Sequence, residues 1–389
     1  MNKLTKNESK KTLVTFISVL AVILVIIAGI NYYFDWFGVF HINLKTQDIT
    51  PNERFVKIQH VLKNKDKYDS FIFGSSRGNL VDPTLFKNGK YYNLSAEVLS
   101  PYEVERTIKF LLKNDIKIKN IVYVAESNTL RFHKRFMAQS STSDIIHLYY
   151  PVNIFEKTIF YSAYLFYCPI IDKSKRDKWK LGEYIETYGT NASRLRKEEA
   201  ENASTQKDLK PKRDFLYSYD ERTIFVLKEI DDLCKKNNIN YTLLFAPEYS
   251  KNYLLNSPNG FIKKKKRLAR YTSFYDFSGI NEITTNTANF SFSEHFTIKV
   301  GDMIAKRIQE PKDKPNEIKN FGVYVTSANI KEHTQNICKA TPDLEQCIKK
   351  KKKRIKRATK LETIKQEPKK PTVEIRKPPK ENPTEFLFK

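Results

Sequence analysis

Cysteine is scarce in this chain, and no pattern of residues recurs at a fixed period. Only 4 of the 389 residues are Cys, which is too few for a disulfide scaffold. None of them has the Cys-x-x-Cys or Cys-x-x-His spacing of a zinc site, so the sequence indicates no bound metal. The missing period excludes collagen and repeat architectures.

Apolar and aromatic residues are present in the amounts that a folded domain needs. Hydrophobic residues make up 40% of the chain and aromatic residues 13%, which excludes wholesale disorder. A chain of this length can bury a full core. Charge is strongly unbalanced, with 69 Lys+Arg against 44 Asp+Glu and a formal net charge of +25. We therefore expect one sizeable mixed domain with appendages.

The first appendage is an uncharged N-terminal stretch, residues 12–34. At about 1.5 Å per residue, a helix of this length spans roughly 34 Å, enough to cross a bilayer core. The stretch exceeds the apolar region of a typical signal peptide, and no Ala-x-Ala site follows it, so an uncleaved anchor is favoured over a signal peptide or a buried core helix. A lysine cluster precedes it, which predicts that residues 1–11 are cytoplasmic and that the main domain is extracytoplasmic. The cluster consists of Lys3, Lys6, Lys10 and Lys11.

The second appendage is a basic, proline-containing tail, residues 311–389. It holds 21 basic and 10 acidic residues and 8 of the 16 prolines of the chain, which predicts a partly disordered, solvated segment or one that attracts polyanions. Nucleic acid is disfavoured as a partner, because the anchor places the tail outside the cytoplasm. Cys338 and Cys347 flank a Thr-Pro-Asp turn, and a bridge between them is left open.

Strand and helix patterns alternate through residues 35–310. Buried helical stripes are predicted within 102–114, 221–237 and 300–308, and this alternation favours an α/β domain with a doubly wound, flavodoxin-like parallel sheet. In such sheets ligands bind beyond the carboxyl ends of the strands. The apolar runs that predict strands are Phe71–Phe73, Tyr91–Leu94, Ile121–Ala125, Tyr241–Ala246 and Phe274–Phe277.

Two segments at strand ends carry candidate chemistry. Gly74-Ser75-Ser76 follows the first strand, where a sharp turn exposes a hydroxyl close to a helix N-terminus, which favours developing negative charge; the plainer interpretation is a helix N-cap. His295 lies just before the last helical pattern, and imidazole is the side chain best suited to accept a proton from a serine near neutral pH. A lone histidine is more often a capping or surface residue, but the two segments together favour a Ser76–His295 couple.

The two segments resemble blocks of the SGNH/GDSL hydrolase superfamily. The likeness is carried by YDSFIFGSSR, by YYNLSA about fifteen residues later, and by a final His before an apolar helix. It is closer to the membrane-anchored, extracytoplasmic branch, which includes alginate-acetylation-like proteins and the D-alanyl-transfer proteins of teichoic acid synthesis. The resemblance covers about residues 50–310 and implies an SGNH-like fold in which Ser76 is the nucleophile and His295 its general base.

The sequence departs from the family pattern at two places. In the family, an acid usually stands three residues before the His and orients it, but Phe292 occupies that position here. Three alternatives follow: Asp276 orients His295, the site works as a dyad, or the site does not catalyse. The third block reads Ala125-Glu126-Ser127-Asn128 instead of Gly-x-Asn-Asp. Asn128 is therefore a weak candidate for an oxyanion donor, and Asn93, which matches the second block better, is the other.

An insertion at about residues 131–215 interrupts the α/β pattern. It contains a strongly aromatic stretch, residues 148–166, which predicts either a satellite core, a surface that rests on the membrane, or part of a cap that sets substrate choice. Aromatic side chains can pack against sugar rings, and three more of them lie nearby in sequence: Trp179, Tyr184 and Tyr188. A second basic block, residues 263–267, is expected to be a solvated loop rather than a binding site, although it would attract anionic polymers.

These observations lead to two functional hypotheses. The first is a single-pass membrane protein that acts as a serine esterase or O-acyl(acetyl)transferase on a cell-envelope glycan, with the lipid bilayer as partner of residues 12–34 and with no cofactor. If transfer is the reaction, the resemblance implies that a multipass membrane acyltransferase supplies the acyl group. The alternative is a non-catalytic envelope protein that binds an anionic polymer or a protein partner.

Overall fold

A computed structural model describes ten stretches of the chain: residues 2–35, 39–40, 52–131, 150–166, 189–190, 196, 209, 221–256, 260–292 and 294–339. The side chains of residues 2–6, 128, 131 and 256 also fall outside the description. All the described stretches belong to one compact unit, Met1–Leu344, and a second unit, Glu345–Lys389, lies outside the described residues.

Strands and helices alternate along the described chain. The strands are β1 (Ser70–Gly74), β2 (Tyr91–Asn93), β3 (Asn120–Ala125), β4 (Asn240–Phe245), β5 (Phe274–Asp276), β6 (Phe290–Phe292), β7 (His295–Phe296) and β8 (Val323–Val325). The α-helices are α1 (Asn2–Phe34), α2 (Glu53–Lys63), α3 (Pro101–Lys113), α4 (Ile154–Phe166), α5 (Glu221–Lys236), α6 (Ser250–Asn256), α7 (Phe261–Leu268), α8 (Glu282–Thr285), α9 (Ile298–Gln309) and α10 (Ile330–Lys339).

Six strands form the main sheet in the order β2-β1-β3-β4-β5-β8. The first five are parallel, and β8 pairs antiparallel with β5 at the edge. The prediction of a mixed α/β domain with a mostly parallel sheet is confirmed, and all five predicted strands are present. Their β-branched and aromatic residues suit strands that helices cover on both faces.

Side chains alternate between the two faces of this sheet, and the alternation decides which residues share a neighbourhood. On one face, Ile72, Val122 and Leu244 belong to the same buried cluster as Val300 and Ile304 of α9. On the other face, residues of opposite parity pack against α7: Phe245 lies edge-on to both Phe261 and Phe274, with ring centroids 5.6 Å and 5.0 Å away.

One helix, α1, is long and apolar enough to cross a membrane, and its apolar part is not buried in the described structure. The same length and composition suit a signal sequence. Asp35 ends the helix with a positive φ of 41°, and its carboxylate accepts hydrogen bonds from the backbone N–H groups of Val39 (2.8 Å) and Phe40 (3.1 Å). The side chain of Asp35 therefore ties the backbone of residues 39 and 40 to the end of the helix.

The folded chain continues past residue 310, where the predicted tail was to begin. Residues 323–325 extend the main sheet as β8, and α10 buries Ile337. The boundary expected at 310 thus leaves folded residues outside the α/β domain, because the basic composition of the whole tail masked these short apolar segments. The rest of the predicted tail, residues 340–389 with Cys347, lies outside the described residues, so the bridge to Cys338 stays untested.

The basic block at 263–267 is a second correction, since it lies within helix α7 instead of a solvated loop. Lys265 is only 3% exposed and lies 4.6 Å from the ring centroid of Phe261. Periodicity explains the difference: Phe261 and Leu268 face the core one turn before and after Lys265, so the helix carries this lysine inward with them.

Candidate functional site

The nucleophile candidate lies in a tight turn at the carboxyl end of β1. Gly74 ends the strand, and a Cβ at this position would lie 2.8 Å from the Cα of Gly78 and 3.1 Å from the Cβ of Val124. Only glycine permits so close an approach. The N–H of Gly78 donates to the carbonyl of Ser75 (2.9 Å), which closes the turn around Ser76. Ser76 is half-buried, whereas its neighbours Ser75 and Arg77 are buried.

A short hairpin, made of β6 and β7, holds the histidine. Phe290 pairs with Phe296, both fully buried in the core that contains α9. His295 is adjacent to Phe296 and pairs with Phe292 across the hairpin. The two phenylalanines fix the hairpin on the sheet, so that the half-buried His295 lies immediately before α9.

The structure brings Ser76 and His295 together across 219 positions of sequence. The Oγ of Ser76 lies 2.7 Å from the Nε2 of His295, which is hydrogen-bond distance for a nucleophile and its base. When the imidazole carries its proton on Nδ1, Nε2 accepts from the hydroxyl. This tautomer is the one in which His295 can remove the serine proton.

A glycine brings the two segments close enough for this contact. Gly301 lies in the first turn of α9, and a Cβ there would collide with the carbonyl oxygen of Leu80, which follows the Ser76 turn. Sequence reasoning did not single out Gly301. The available signal was a lone glycine inside an amphipathic helical pattern, which often marks a close approach of the backbone.

An arginine from the predicted insertion connects the same two segments. Arg196 Nη2 donates to Asp82 Oδ2 (2.8 Å), in the loop after Ser76, and to Asp302 Oδ1 (2.6 Å), in α9. The hydrogen bond to Asp302, followed by that to Asp82, raises the pKa of Arg196 above its ordinary value. The insertion also contacts the Ser76 loop at Thr190, whose Oγ1 donates to the carbonyl of Asn79 (2.6 Å). These contacts place two short pieces of the insertion beside the Ser76 loop.

Asp276 does not serve the role expected of it. Its Oδ1 accepts from the N–H (3.1 Å) and the Oγ (2.7 Å) of Ser278, and its Oδ2 accepts from Lys265 Nζ (2.6 Å) and lies 2.9 Å from His333 Nε2. It is fully buried. The reason is strand parity: Asp276 lies two residues from Phe274 and shares its face of the sheet, opposite the face that carries α9.

The pKa of Asp276 reflects this buried cluster. Burial by itself would raise the pKa of the carboxyl group, but the charge of Lys265 and the contact with His333 more than offset it and hold the pKa below its ordinary value. Asp276 therefore stays ionised and acts as a counter-ion inside the fold.

Asn93, the stronger oxyanion candidate, is likewise occupied. Its Nδ2 donates to the carbonyls of Gly78 (2.8 Å) and Val81 (3.1 Å), and its Oδ1 accepts from the N–H of Ser95 (2.9 Å). With no exposed surface, it holds the loop after Ser76 instead of facing a ligand. The backbone of Asn128 belongs to a 3₁₀ turn, Ser127–Arg131, but its side chain is outside the described residues.

Two buried cations lie close to the Ser76 turn. Arg77, 3% exposed, places Nη1 2.8 Å from Glu126 Oε2, at the end of β3. Lys57 of α2 donates to Asn79 Oδ1 (3.1 Å) and to the carbonyl of Ser95. Burial lowers the pKa of Lys57 to about 8 although Glu53 raises it. Neither was predicted from sequence, since charged residues give no signal of burial by type alone.

Phe292, at the position where the resemblance led us to expect an acid, is 70% exposed. Its ring lies edge-on to His295, with centroids 6.1 Å apart and an interplanar angle of 82°. An exposed apolar ring therefore lies beside the imidazole of His295. Of the insertion aromatics, Trp179, Tyr184 and Tyr188 lie outside the described residues.

The geometry thus joins Ser76 to His295, separates Asp276 from them, and shows Asn93 to be structural. Neither a scan against protein-family models nor a search of curated proteins finds a significant match to this chain.

Proposed function

We propose that this chain is a membrane-anchored, SGNH-like serine esterase or O-acyl(acetyl)transferase that acts on a cell-envelope glycan. One observation carries the proposal: a half-buried serine and a histidine, 219 positions apart, meet at 2.7 Å beyond the end of β1. Ligand sites of open α/β sheets lie at this edge.

The strand order supports the SGNH-like part of the proposal. The five parallel strands follow the order 2-1-3-4-5, which is the order of flavodoxin-like, doubly wound sheets. The Ser-bearing turn follows the first strand and the His-bearing hairpin follows the fifth, as the resemblance implies. The apolar α1, preceded in sequence by four lysines, supports an anchor with the α/β domain outside the cytoplasm.

The chemistry proceeds through an acyl-serine. His295 Nε2 accepts the proton of Ser76 while Oγ attacks the ester carbonyl, and the tetrahedral oxyanion is stabilised by backbone N–H groups beside Ser76. Collapse breaks the ester C–O bond, and the departing alcohol takes the proton from His295. Water or a sugar hydroxyl then attacks the acyl-serine, gives its proton to His295, and displaces Oγ, which recovers the proton.

The acceptor decides between the two reactions. Water as acceptor makes the chain an esterase, and a sugar hydroxyl makes it a transferase. The transferase would receive its acyl group from a partner, for which the resemblance suggests a multipass membrane acyltransferase. The exposed ring of Phe292 beside His295 supports a glycan substrate, because aromatic faces pack well against sugar rings.

A fluorophosphonate probe tests the proposal directly, since it phosphonylates only activated serines. We expect the intact protein to be labelled, Ser76→Ala to abolish labelling, and His295→Gln to reduce it strongly. Ser75→Ala is the matched control, because Ser75 is the buried neighbour in the same turn, and it should retain labelling. A fully folded protein that is not labelled would exclude the esterase and transferase hypotheses.

The second candidate is a non-catalytic envelope protein. Two observations favour it: Phe292 replaces the expected acid, and the carboxylate of Asp276 is engaged by Lys265, Ser278 and His333. On this hypothesis Ser76 stays unlabelled while the protein still binds an anionic polymer. The labelling experiment thus separates the two candidates.

A further inference from the structure

Helix α4, in the insertion, has two faces with opposite surroundings. Phe160 and Tyr164 are buried, and Phe160 stacks on Phe55 of α2 with centroids 4.9 Å apart. The opposite face is apolar but exposed: Phe155 is 73% exposed and Ile159 44%. With Ser162 and with Phe166 (48%), these residues recur at intervals of three and four, as one continuous stripe.

This stripe lies beside the end of the apolar helix α1. The two helices contact each other, and Asn31 Nδ2 donates to the carbonyl of Leu165 (2.7 Å), one residue before Phe166. The ring of Phe40, just after α1, packs against Tyr161 at 5.8 Å. Helix α4 therefore contacts α1 near the end of its apolar stretch, and the exposed stripe lies next to this contact.

From this arrangement we propose that α4 lies in the interface of the lipid bilayer, with its stripe, Phe155, Ile159, Ser162 and Phe166, in contact with lipid. The inference rests on the proposed function in one respect, that α1 spans the membrane. Large apolar side chains such as Phe155, Ile159 and Phe166 are unfavourable when they are exposed to water along one stripe, and an apolar helix face next to a membrane anchor is buried by the headgroup region. A polar partner would not bury it.

Such contact gives the domain a fixed position on the membrane. The buried face of α4 holds Phe55 of α2, and α2 also carries Lys57, which donates to Asn79 in the Ser76 loop. A single helix, α2, therefore connects the lipid-facing element to the nucleophile turn.

Depth-dependent quenching tests this inference on the full-length protein. Cysteines other than the buried Cys234 are replaced by serine, and a single Phe155→Cys is labelled with an environment-sensitive fluorophore. The protein is reconstituted in vesicles of phosphatidylcholine and phosphatidylglycerol that contain nitroxide lipids. The matched control is Lys157→Cys, an exposed position on the opposite side of the same helix. We expect at least about twofold stronger quenching at 155 than at 157.

Equal quenching at the two positions would overturn the inference, as would self-association that protects position 155 from the nitroxide. A label at Val22→Cys, in the middle of α1, separates this failure from failure of the anchor. Strong quenching at 22 without quenching at 155 rejects the lipid contact alone, whereas no quenching at 22 rejects the anchor on which it rests.

Discussion

Two clusters of serine and histidine lie on opposite faces of the same sheet. In one, Ser76 and His295 are both half-buried and contact each other at 2.7 Å. In the other, Ser278 and His333 are buried around Asp276, and Lys265 donates to Oδ2 of Asp276 and to Oγ of Ser278. By residue type alone, the second cluster looks more like a catalytic triad.

Geometry assigns them different roles. In the second cluster the serine hydroxyl donates to the carboxylate and not to the histidine, and the fully buried carboxylate is neutralised by an ammonium group. Such a cluster stabilises the fold by satisfying buried charge. The first cluster pairs hydroxyl with imidazole directly and leaves both side chains half-buried, which is the arrangement that the proposed nucleophile and base require.

The histidines of the two clusters provide the largest contrast. We expect His295→Gln to lower esterase activity by about 10³-fold or more, because the proton acceptor is lost, with the free energy of unfolding changed by less than about 0.5 kcal/mol. His333→Gln should instead retain activity per folded molecule and lower stability by about 1–3 kcal/mol. Hydrolysis of p-nitrophenyl acetate and denaturant unfolding measure the two effects. The reverse pattern would exchange the roles assigned to the clusters.

The carboxylate of the buried cluster gives the next largest effect. Asp276→Asn leaves the Lys265 ammonium buried without its counter-ion, which should lower the free energy of unfolding by about 3–5 kcal/mol. The pKa of Asp276 is lowered in the folded protein, so its contribution to stability is present above its ordinary pKa of about 4 and is lost as pH falls below that value. The variant should therefore show a smaller loss of stability in acid.

The control for this prediction is Asp232→Asn, since Asp232 forms an exposed pair with Lys228 on α5. Exposed pairs contribute at most about 1 kcal/mol. Equal stability of the two variants, measured by urea unfolding between pH 3 and 7, would show that Asp276 is not a buried counter-ion.

Sequence reasoning expected Ser76 and His295 to lie together, as they do in the structure, but it also expected Asp276 beside them, where the structure does not place it. The periodicity of apolar residues and the position of a residue just after a strand are local signals, and they placed both residues at the same edge of the sheet. The partners of Asp276 depend on the face of the sheet toward which its side chain points. The partners of Asn93 are backbone carbonyls that come close to it only when the loop after Ser76 has folded. Gly301 and Arg196 act through contacts between segments more than one hundred residues apart, which a single sequence does not display.

A buried lysine lies at each cluster: Lys265 belongs to the Asp276 cluster, and Lys57 contacts the loop that follows Ser76. Lys265 donates to the carboxylate of Asp276, and Lys57 donates to Oδ1 of Asn79 and to the carbonyl of Ser95. Since burial lowers the pKa of Lys57 to about 8 from an ordinary value of about 10.4, the unfolded chain binds more protons between these pH values, and stability rises with pH. Relative to Lys57→Met, the free energy of unfolding of the intact protein should rise by up to about 3 kcal/mol between pH 8 and 10.5.

Paired unfolding curves at pH 7.5, 9 and 10.5 measure this rise, because other titrations are common to both proteins and cancel. Lys63→Met is the control, since Lys63 is exposed on the same helix and should show no such rise. A difference between the intact protein and Lys57→Met that stays constant over this range would mean that Lys57 is solvated in solution.

The smallest expected effect concerns the link between the two segments of the Ser76 site. Arg196 joins Asp82, in the Ser76 loop, to Asp302, at the start of the helix that follows His295. Arg196→Gln removes the charge and part of this bridge, and we expect roughly a tenfold loss of kcat, because a nucleophile and base that are held less rigidly spend less time in reactive geometry.

Arg270→Gln is the control, at an exposed position on the other side of the sheet near α7. Within the described part of the chain, the hydrogen bonds of Arg196 go to Asp82 and Asp302 and not to the Asp276 cluster. We therefore expect Arg196→Gln to leave the hydrogen bonds of that cluster unchanged. If kcat is unaffected while KM rises, Arg196 contacts substrate and does not position the couple, and the bridge between Asp82 and Asp302 is then incidental to catalysis.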